Sequence, residues 1–224
     1  MTALRGLYLL ADTGWLAAGR LVPAVAAALD GGGVLVQYRN KAPLDAARRA
    51  ELRALAGLCR TRGVPLIVND DLALAREIGA AGVHLGRDDA TIAEARRVLG
   101  PRMIIGASCY NRLDLAHAAA RAGADYAAFG SFFPSPTKPV AVRADVELLR
   151  RARAELAIPL AAIGGITVDN GAALLEAGAD LLAVASGVFA AADPAAAARA
   201  YARLCASPTS GTDLFMDNVV HSNG

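Results

Sequence analysis

Eight short apolar runs succeed one another along the chain, at residues 7–10, 34–38, 66–68, 82–85, 103–107, 125–129, 160–163 and 181–184. Longer stretches rich in Ala, Leu and Arg separate them, among them residues 44–60, 113–122, 146–156 and 194–204. In these stretches apolar side chains recur at i, i+3 and i+4, the period of an amphipathic helix. The short runs are continuously apolar, as parallel strands covered on both faces are. A weak repeat marks the same rhythm. Ala81-Gly82, Ala122-Gly123 and Ala177-Gly178 each close a helical stretch with glycine and lead into an apolar run. Eight strands alternating with eight helices predict an α/β chain folded as a (β/α)8 TIM barrel, one domain over residues 1–206. An open doubly wound sheet would want GxGxxG after the first run, and Ala11-Asp12-Thr13-Gly14 stands there instead. Residues 207–224 are polar and aperiodic, and read as a flexible tail.

Composition narrows the function. Apolar residues make up 55 % of the 224 positions, which excludes intrinsic disorder. A net charge of +2 is too balanced for a nucleic-acid or membrane-surface protein. Arg, Asp or Gly interrupts every apolar run before it reaches membrane-spanning length. The three cysteines, Cys59, Cys109 and Cys205, are scattered, as in a reducing compartment, so a cytoplasmic location is expected. Of the 23 basic residues only Lys41 and Lys138 are lysine. An ammonium and a guanidinium are not interchangeable at a tight phosphate site, so these two positions stand out.

In such a barrel the active site lies at the C-terminal ends of the strands. Nearly every polar cluster of the chain falls there: Gln37-Tyr38-Arg39-Asn40-Lys41, Asn69-Asp70-Asp71, Gly86-Arg87-Asp88-Asp89, Ser108, the loop Pro134-Ser135-Pro136-Thr137-Lys138-Pro139, Gly164-Gly165 and Ser186-Gly187. Arg39, Lys41 and Lys138 supply positive charge; Gln37, Asn40, Asn69 and Ser108 supply neutral hydrogen bonds. Asp70 and Asp89 are carboxylates from neighbouring strands. That combination suits a polyphosphate sharing its pocket with Mg2+, which takes one or two carboxylates plus water and phosphate oxygens. The glycines after the seventh and eighth strands suit a second, single phosphate held on backbone N–H groups. Two anion sites in one mouth suggest a transferase or ligase with two phosphorylated substrates.

Several of these residues have plainer readings. Asp70 fits the N-cap of the third helix, and Asp88-Asp89 fits that of the fourth. Arg39 and Lys41 are ordinary loop charges taken singly, and Gly-Gly suits any tight turn. His84 and His117 read as structural, His221 as part of the tail, and Trp15 as packing. Cys109 has no base placed to activate it.

The motifs together resemble those of the thiamine-phosphate synthase (thiamine-phosphate pyrophosphorylase) family. The resemblance runs over residues 5–205 and rests on Gln37-Tyr38-Arg39-Asn40-Lys41, Leu66 to Asp70, Gly82 to Asp89, Ile105 to Ser108, Gly123 to Tyr126, Phe129 to Lys138, Ala162 to Ile166 and Gly178 to Ser186. It implies coupling of 4-amino-2-methyl-5-hydroxymethylpyrimidine diphosphate to a 4-methyl-5-(2-hydroxyethyl)thiazole phosphate, or its carboxylated precursor, with release of pyrophosphate. By the same resemblance Gln37, Tyr38, Arg39, Asn40, Lys41, Asn69, Ser108 and Lys138 would hold the pyrimidine diphosphate. Asp70 and Asp89 would hold Mg2+, while Ser135, Pro136, Thr137, Gly164, Ala185 and Ser186 would hold the thiazole phosphate. Tyr38, Ser135, Pro139 and Cys109-Tyr110 depart from the family pattern without removing a charge. The related thiazole tautomerase is the nearest alternative; it would need an acid–base group, typically His, where Ser108 stands. A barrel that binds phosphorylated ligands without catalysis is a third.

Overall fold

The computed structural model describes residues 4–16, 19–134 and 142–207. Eight parallel strands close in chain order: β1 (Gly6–Asp12), β2 (Gly33–Arg39), β3 (Leu66–Asn69), β4 (Gly82–Leu85), β5 (Ile104–Tyr110), β6 (Tyr126–Gly130), β7 (Leu160–Ile163) and β8 (Leu181–Val184). β8 pairs back onto β1, which removes every sheet edge. The connecting helices are α1 (Leu21–Asp30), α2 (Ala46–Thr61), α3 (Leu72–Ile78), α4 (Ile92–Leu99), α5 (Leu113–Arg121), α6 (Val146–Glu155) and α7 (Gly171–Glu176). A single-domain (β/α)8 barrel is therefore what the alternation of runs encodes. One count differs: after β8 comes an extra turn, α8 (Ser186–Phe189), before α9 (Pro194–Ala206) packs on α1, giving nine helices among the described residues. Residues 208–224, most of the expected tail, lie outside the described residues. Among the described residues no helix is long and apolar enough to cross a membrane.

Side chains alternate across each strand, and the barrel turns that alternation into two cores. Tyr8, Leu10, Leu35, Ile67, Ile104, Tyr126, Ala128, Ala161, Leu181 and Ala183 form the inner one. Leu7, Leu9, Val36, Val68, Val83, Ile105, Phe129, Leu160 and Leu182 face outward and pack with the helices. β1, β2 and β5 run past their apolar stretches to Asp12, Arg39 and Tyr110. The barrel's upper end is solvated, so strand residues there are polar and escape a reading based on apolar runs.

The glycine repeat has a structural purpose at the opposite, N-terminal end. Asp125, just before β6, accepts from Ile105 N–H and from Arg96 of α4, both at 2.7 Å, while its own N–H donates to Ile105 O at 2.7 Å. Asp180, just before β8, does the same with Leu160 N–H and with Arg153 of α6, both at 2.9 Å. Its N–H donates to Leu160 O at 2.8 Å. Each Arg also caps turn carbonyls, Gly100, Met103 and Gly123 for Arg96, Leu156 and Ile158 for Arg153. A charge-assisted clamp thus ties helix, turn and two strands together. Asp125→Ala and Asp180→Ala are each expected to lower stability by about 1–3 kcal/mol, because each leaves a strand N–H without its acceptor and an arginine without its carboxylate partner. The two losses should add, since the clamps share no partner. Urea unfolding of the two variants and the double variant checks this; an unchanged midpoint in either single variant would contradict it.

Candidate active site

The upper ends of the inward faces enclose a cavity of about 420 Å3. Gln37 and Arg39 of β2, Asn69 of β3, His84 of β4, Ser108 and Tyr110 of β5, and Gly164, Ala185 and Ser186 beyond β7 and β8 all line it. Seven residues singled out for ligands, Gln37, Arg39, Asn69, Ser108, Gly164, Ala185 and Ser186, therefore share one space. A second hollow of about 450 Å3 adjoins it, lined by Thr13, Trp15, Asn40, Lys41 and Arg48, with Asp12 and Arg39 common to both.

Asp12, which the sequence did not single out, anchors Arg39. Its Oδ2 accepts from the guanidinium and its Oδ1 from Gly14 N–H at 2.8 Å. Asn40 bridges the loops after β1 and β2: Thr13 Oγ1 donates to its Oδ1 at 2.7 Å, and its amide donates to Ala42 O at 2.7 Å.

Asn69-Asp70-Asp71 resolves into three separate tasks. Asn69 faces the cavity. Asp71 is the N-cap of α3, accepting from Leu74 N–H at 2.9 Å, and Thr91 caps α4. Capping therefore explains neither Asp70 nor Asp89. Asp70 sits at φ 67, a left-handed conformation, with its N–H held by His84 O at 2.9 Å. Lys41 Nζ donates to its Oδ2 at 2.7 Å, and its carboxyl meets that of Asp89. Asp89 is fixed by Gly86 N–H, 2.6 Å from its Oδ2. Burial pushes both acids up, but Lys41 and the hydrogen bond from Asp89 pull Asp70 below its ordinary value. Asp89 is left above its own, because burial and the neighbouring Asp70 charge outweigh the Gly86 N–H.

Magnitudes separate stability from function here. The Lys41 and Asp70 side chains are 60 % and 30 % exposed, and such a pair contributes about 0–1 kcal/mol. A non-glycine residue at positive φ costs about 1–3 kcal/mol. The arrangement does not repay itself in folding, which points to a ligand. Neither carboxylate lines either hollow, but both are hard oxygen donors from the segments that follow the neighbouring strands β3 and β4, the kind of ligand Mg2+ takes together with phosphate oxygens.

Below the mouth lies a buried polar chain that the sequence reading missed. Gln37 Nε2 donates to Tyr8 OH at 2.6 Å, Tyr8 OH meets Tyr126 OH at 2.7 Å, and Tyr126 OH meets His84 Nδ1 at 2.9 Å. His84 Nε2 lies 2.8 Å from Ser108 Oγ. His84, read above as structural, is instead part of the cavity wall. Its signal was available: it is the one polar residue of Gly82–Leu85, on the inward parity. Burial raises the pKa of both tyrosines above the ordinary phenol value, so both stay protonated at neutral pH.

Opposite, Gly164 and Gly165 have φ of 102 and 61, conformations that suit glycine. A Cβ would stand 2.0 Å from Ser131 Oγ at the first and 2.3 Å from Pro134 O at the second. The chain leaving β6 packs onto them, with Phe132 N–H on Ile163 O at 3.1 Å and Phe133 N–H on Gly164 O at 3.0 Å. Ser135, Pro136, Thr137 and Lys138 lie outside the described residues. The described residues on either side, Pro134 and Val142, stand at this edge of the mouth: Val142 lines the cavity, and Val142 O accepts from Ser131 N–H at 2.9 Å.

Two further readings need correction. Tyr38 does not face the ligand cavity. Strand alternation puts Gln37 and Arg39 inward and Tyr38 outward, 2 % exposed in the outer core, its hydroxyl without a hydrogen-bond partner among the described residues. Trp15 is not packing: it is 40 % exposed and borders the second hollow. Cys109 also faces outward, and burial pushes its thiol up to about 12, which disqualifies it as a nucleophile at neutral pH. His117 pairs with Glu155 on the helical shell, at 2.8 Å.

Cations, a carboxylate pair and bare glycine backbone around one barrel mouth define a (β/α)8 enzyme site for small charged molecules. A family model described as "Thiamine monophosphate synthase" matches residues 7–188. A thiamine-phosphate synthase of Thiobacillus denitrificans is 61 % identical over 188 residues, covering 84 % of this chain and 89 % of the relative. One of Azoarcus sp. is 56 % identical over 209 residues, covering 91 % and 98 %. A solved thiamine phosphate pyrophosphorylase from Pyrococcus furiosus superimposes with a TM-score of 0.79 at 34 % identity, covering 89 % of this chain and 95 % of that one. The chain belongs to the thiamine monophosphate synthase family.

The assignment of Asp71 and Asp70 to different tasks is testable without substrate. Asp71→Ala is expected to lose about 1 kcal/mol, as N-cap removal does. Asp70→Asn should lose no stability, because Asn tolerates positive φ and removes a charge beside Asp89. Thermal or urea unfolding compares them; the opposite order would contradict the assignment.

Proposed function

We propose that this chain is a thiamine-phosphate synthase that joins 4-amino-2-methyl-5-hydroxymethylpyrimidine diphosphate to 4-methyl-5-(2-hydroxyethyl)thiazole phosphate, or to its carboxylated precursor. The observation that carries this reading is the convergence of Arg39, Asn69, Ser108 and Gly164 on one cavity, with Lys41 lining the adjoining hollow and bonded to Asp70, which meets Asp89, in a chain of this family. Gln37, Arg39, Asn40, Lys41, Asn69 and Ser108 are assigned to the pyrimidine diphosphate. Gly164, Ala185 and Ser186, with Ser135, Pro136 and Thr137 of the β6–α6 segment, are assigned to the thiazole phosphate.

The chemistry asked of these residues is modest. The aminopyrimidine releases electron density to its exocyclic methylene, the carbon–oxygen bond to diphosphate breaks, and the thiazole nitrogen then bonds to that carbon. Diphosphate departs with the bonding pair, and where the carboxylated precursor is the acceptor its carboxyl group leaves as CO2 to give the same product. Such a dissociative step needs no protein nucleophile, and Cys109 faces away from the cavity. It needs the charge on the leaving group to be stabilised before it forms, which preorganised cations do best. Arg39 is already oriented by Asp12, and Lys41 by Asp70. Asp70 and Asp89 would hold Mg2+, which when bound supplies further neutralisation of the diphosphate. Lys138 is assigned to the same task from the family motif.

His84 beside Ser108 is the one observation that favours the tautomerase, which wants an acid–base group there. A single assay separates the readings. The two substrates with Mg2+ should yield pyrophosphate and thiamine phosphate, and a chelator should stop the reaction. Thiazole isomerisation without pyrophosphate would indicate the tautomerase, and binding without either reaction a sensor. Lys138→Ala should lower kcat by a factor corresponding to about 2–4 kcal/mol, with a smaller change in substrate affinity. Wild-type kcat in that variant would contradict the role given to Lys138.

A further inference from the structure

We propose that Tyr126, which does not line the cavity, is a positioning residue: it holds His84 as the Nε2–H tautomer and thereby turns the Ser108 hydroxyl into a hydrogen-bond donor toward the ligand. The proposal rests on the five-membered chain across the barrel interior and on which of its groups can only donate.

Direction enters at Gln37. Its amide nitrogen donates and cannot accept, so Tyr8 OH accepts at 2.6 Å. Tyr8 is 1 % exposed, and its own hydrogen goes to Tyr126 OH, 2.7 Å away. The reverse arrangement would leave the Tyr8 hydrogen no protein acceptor and only the cavity that Tyr8 also lines. Tyr126 OH, now an acceptor from Tyr8, sends its hydrogen to His84 Nδ1 at 2.9 Å. A neutral imidazole with Nδ1 accepting carries its proton on Nε2. Nε2–H then donates to Ser108 Oγ at 2.8 Å, and the Ser108 proton is left for the cavity that Ser108 lines. Reversing any one bond would reverse all those after it.

The packing is built for this chain. The Tyr126 ring crosses the barrel interior over Gly106, where a Cβ would stand 2.0 Å from Tyr126 Cζ and 2.3 Å from its hydroxyl oxygen. Its ring lies near parallel to His84 (5.6 Å between centroids, 23°) and edge-on to Tyr8 (5.8 Å, 87°). Tyr126 is 0 % exposed. It therefore acts on a ligand through His84 and Ser108. The consequence for the reaction rests on the function proposed above: Ser108 meets an acceptor atom of the pyrimidine diphosphate as a donor. The tautomer itself does not depend on that reading.

The test is 15N NMR of the imidazole nitrogens in the full chain, with His117→Gln and His221→Gln variants to isolate the His84 signals. Wild type is expected to show a protonated Nε2 and a bare Nδ1. Tyr126→Phe removes the donor to Nδ1, so both tautomers should appear, and kcat/KM should fall about 10- to 100-fold, as when an outer partner fixing a histidine tautomer is lost. Tyr8→Phe removes the hydroxyl that commits the Tyr126 hydrogen to Nδ1, so both tautomers should appear there as well, and an unchanged tautomer in that folded variant would contradict the relay from Gln37. A wild-type His84 protonated on Nδ1 would overturn the proposal whether or not the Tyr126 variant folds. An unchanged tautomer or an unchanged kcat/KM in folded Tyr126→Phe would also overturn it. The NMR arm needs no substrate, so a wild type that releases no pyrophosphate would sink the functional reading and leave the tautomer to be judged separately.

Discussion

Closure of β8 onto β1 is the constraint on which everything else in this molecule depends. In a closed parallel barrel every strand has an inside, and the two-residue period of the strand decides which side chains enter it. A slip of one residue in any strand would exchange its inward and outward sets. Here the inward set changes character along the axis. Leu35, Ile67, Ile104 and Leu181 fill the lower end; Tyr8, Tyr126 and His84 form a polar floor; Arg39, Asn69 and Ser108 open onto the mouth. The site is thus continuous with the inner core, and its geometry is as rigid as the barrel's register.

The mouth is organised by charge. Lys41 and Arg39 each already have a carboxylate partner, Asp70 and Asp12, so they are held in place and not fully neutralised. The Asp70 and Asp89 carboxyls meet, and the charge of Asp70 helps to hold Asp89 above its ordinary value. Exposed pairs of this kind contribute little to folding. A phosphorylated ligand would meet cations that need little reordering, and that preorganisation is where electrostatic catalysis gains most of its strength. The stabilising electrostatics are elsewhere, at the other end of the barrel, in the Arg96–Asp125 and Arg153–Asp180 clamps. Stability and chemistry occupy opposite ends of the same strands.

Much of this was legible in the residue order. All eight apolar runs are strands, because a run buried on both faces leaves little else for it to be. The clustering of polar residues after those runs located the mouth. Tyr38 was misjudged because Gln37 to Lys41 was taken as one block, although strand period alone separates Tyr38 from its neighbours. His84 was misjudged because a single polar residue in an apolar run was taken as packing. Asp70 and Asp71 could not be told apart: the backbone at φ 67 decides which one caps the helix. The Tyr8–Tyr126 contact spans 118 residues, and only the closed register brings those hydroxyls together.

The central claim is that one mouth holds a diphosphate and a second phosphate at the same time. A crystal structure of the chain with thiamine phosphate, pyrophosphate and Mg2+ tests it most directly. The account predicts pyrophosphate against Arg39, Lys41 and Asn69, the ion between Asp70 and Asp89, and the phosphate of the other product on the Gly164 and Ser186 backbone. Pyrophosphate bound away from Arg39 and Lys41, or an ion that leaves both aspartates untouched, would contradict it.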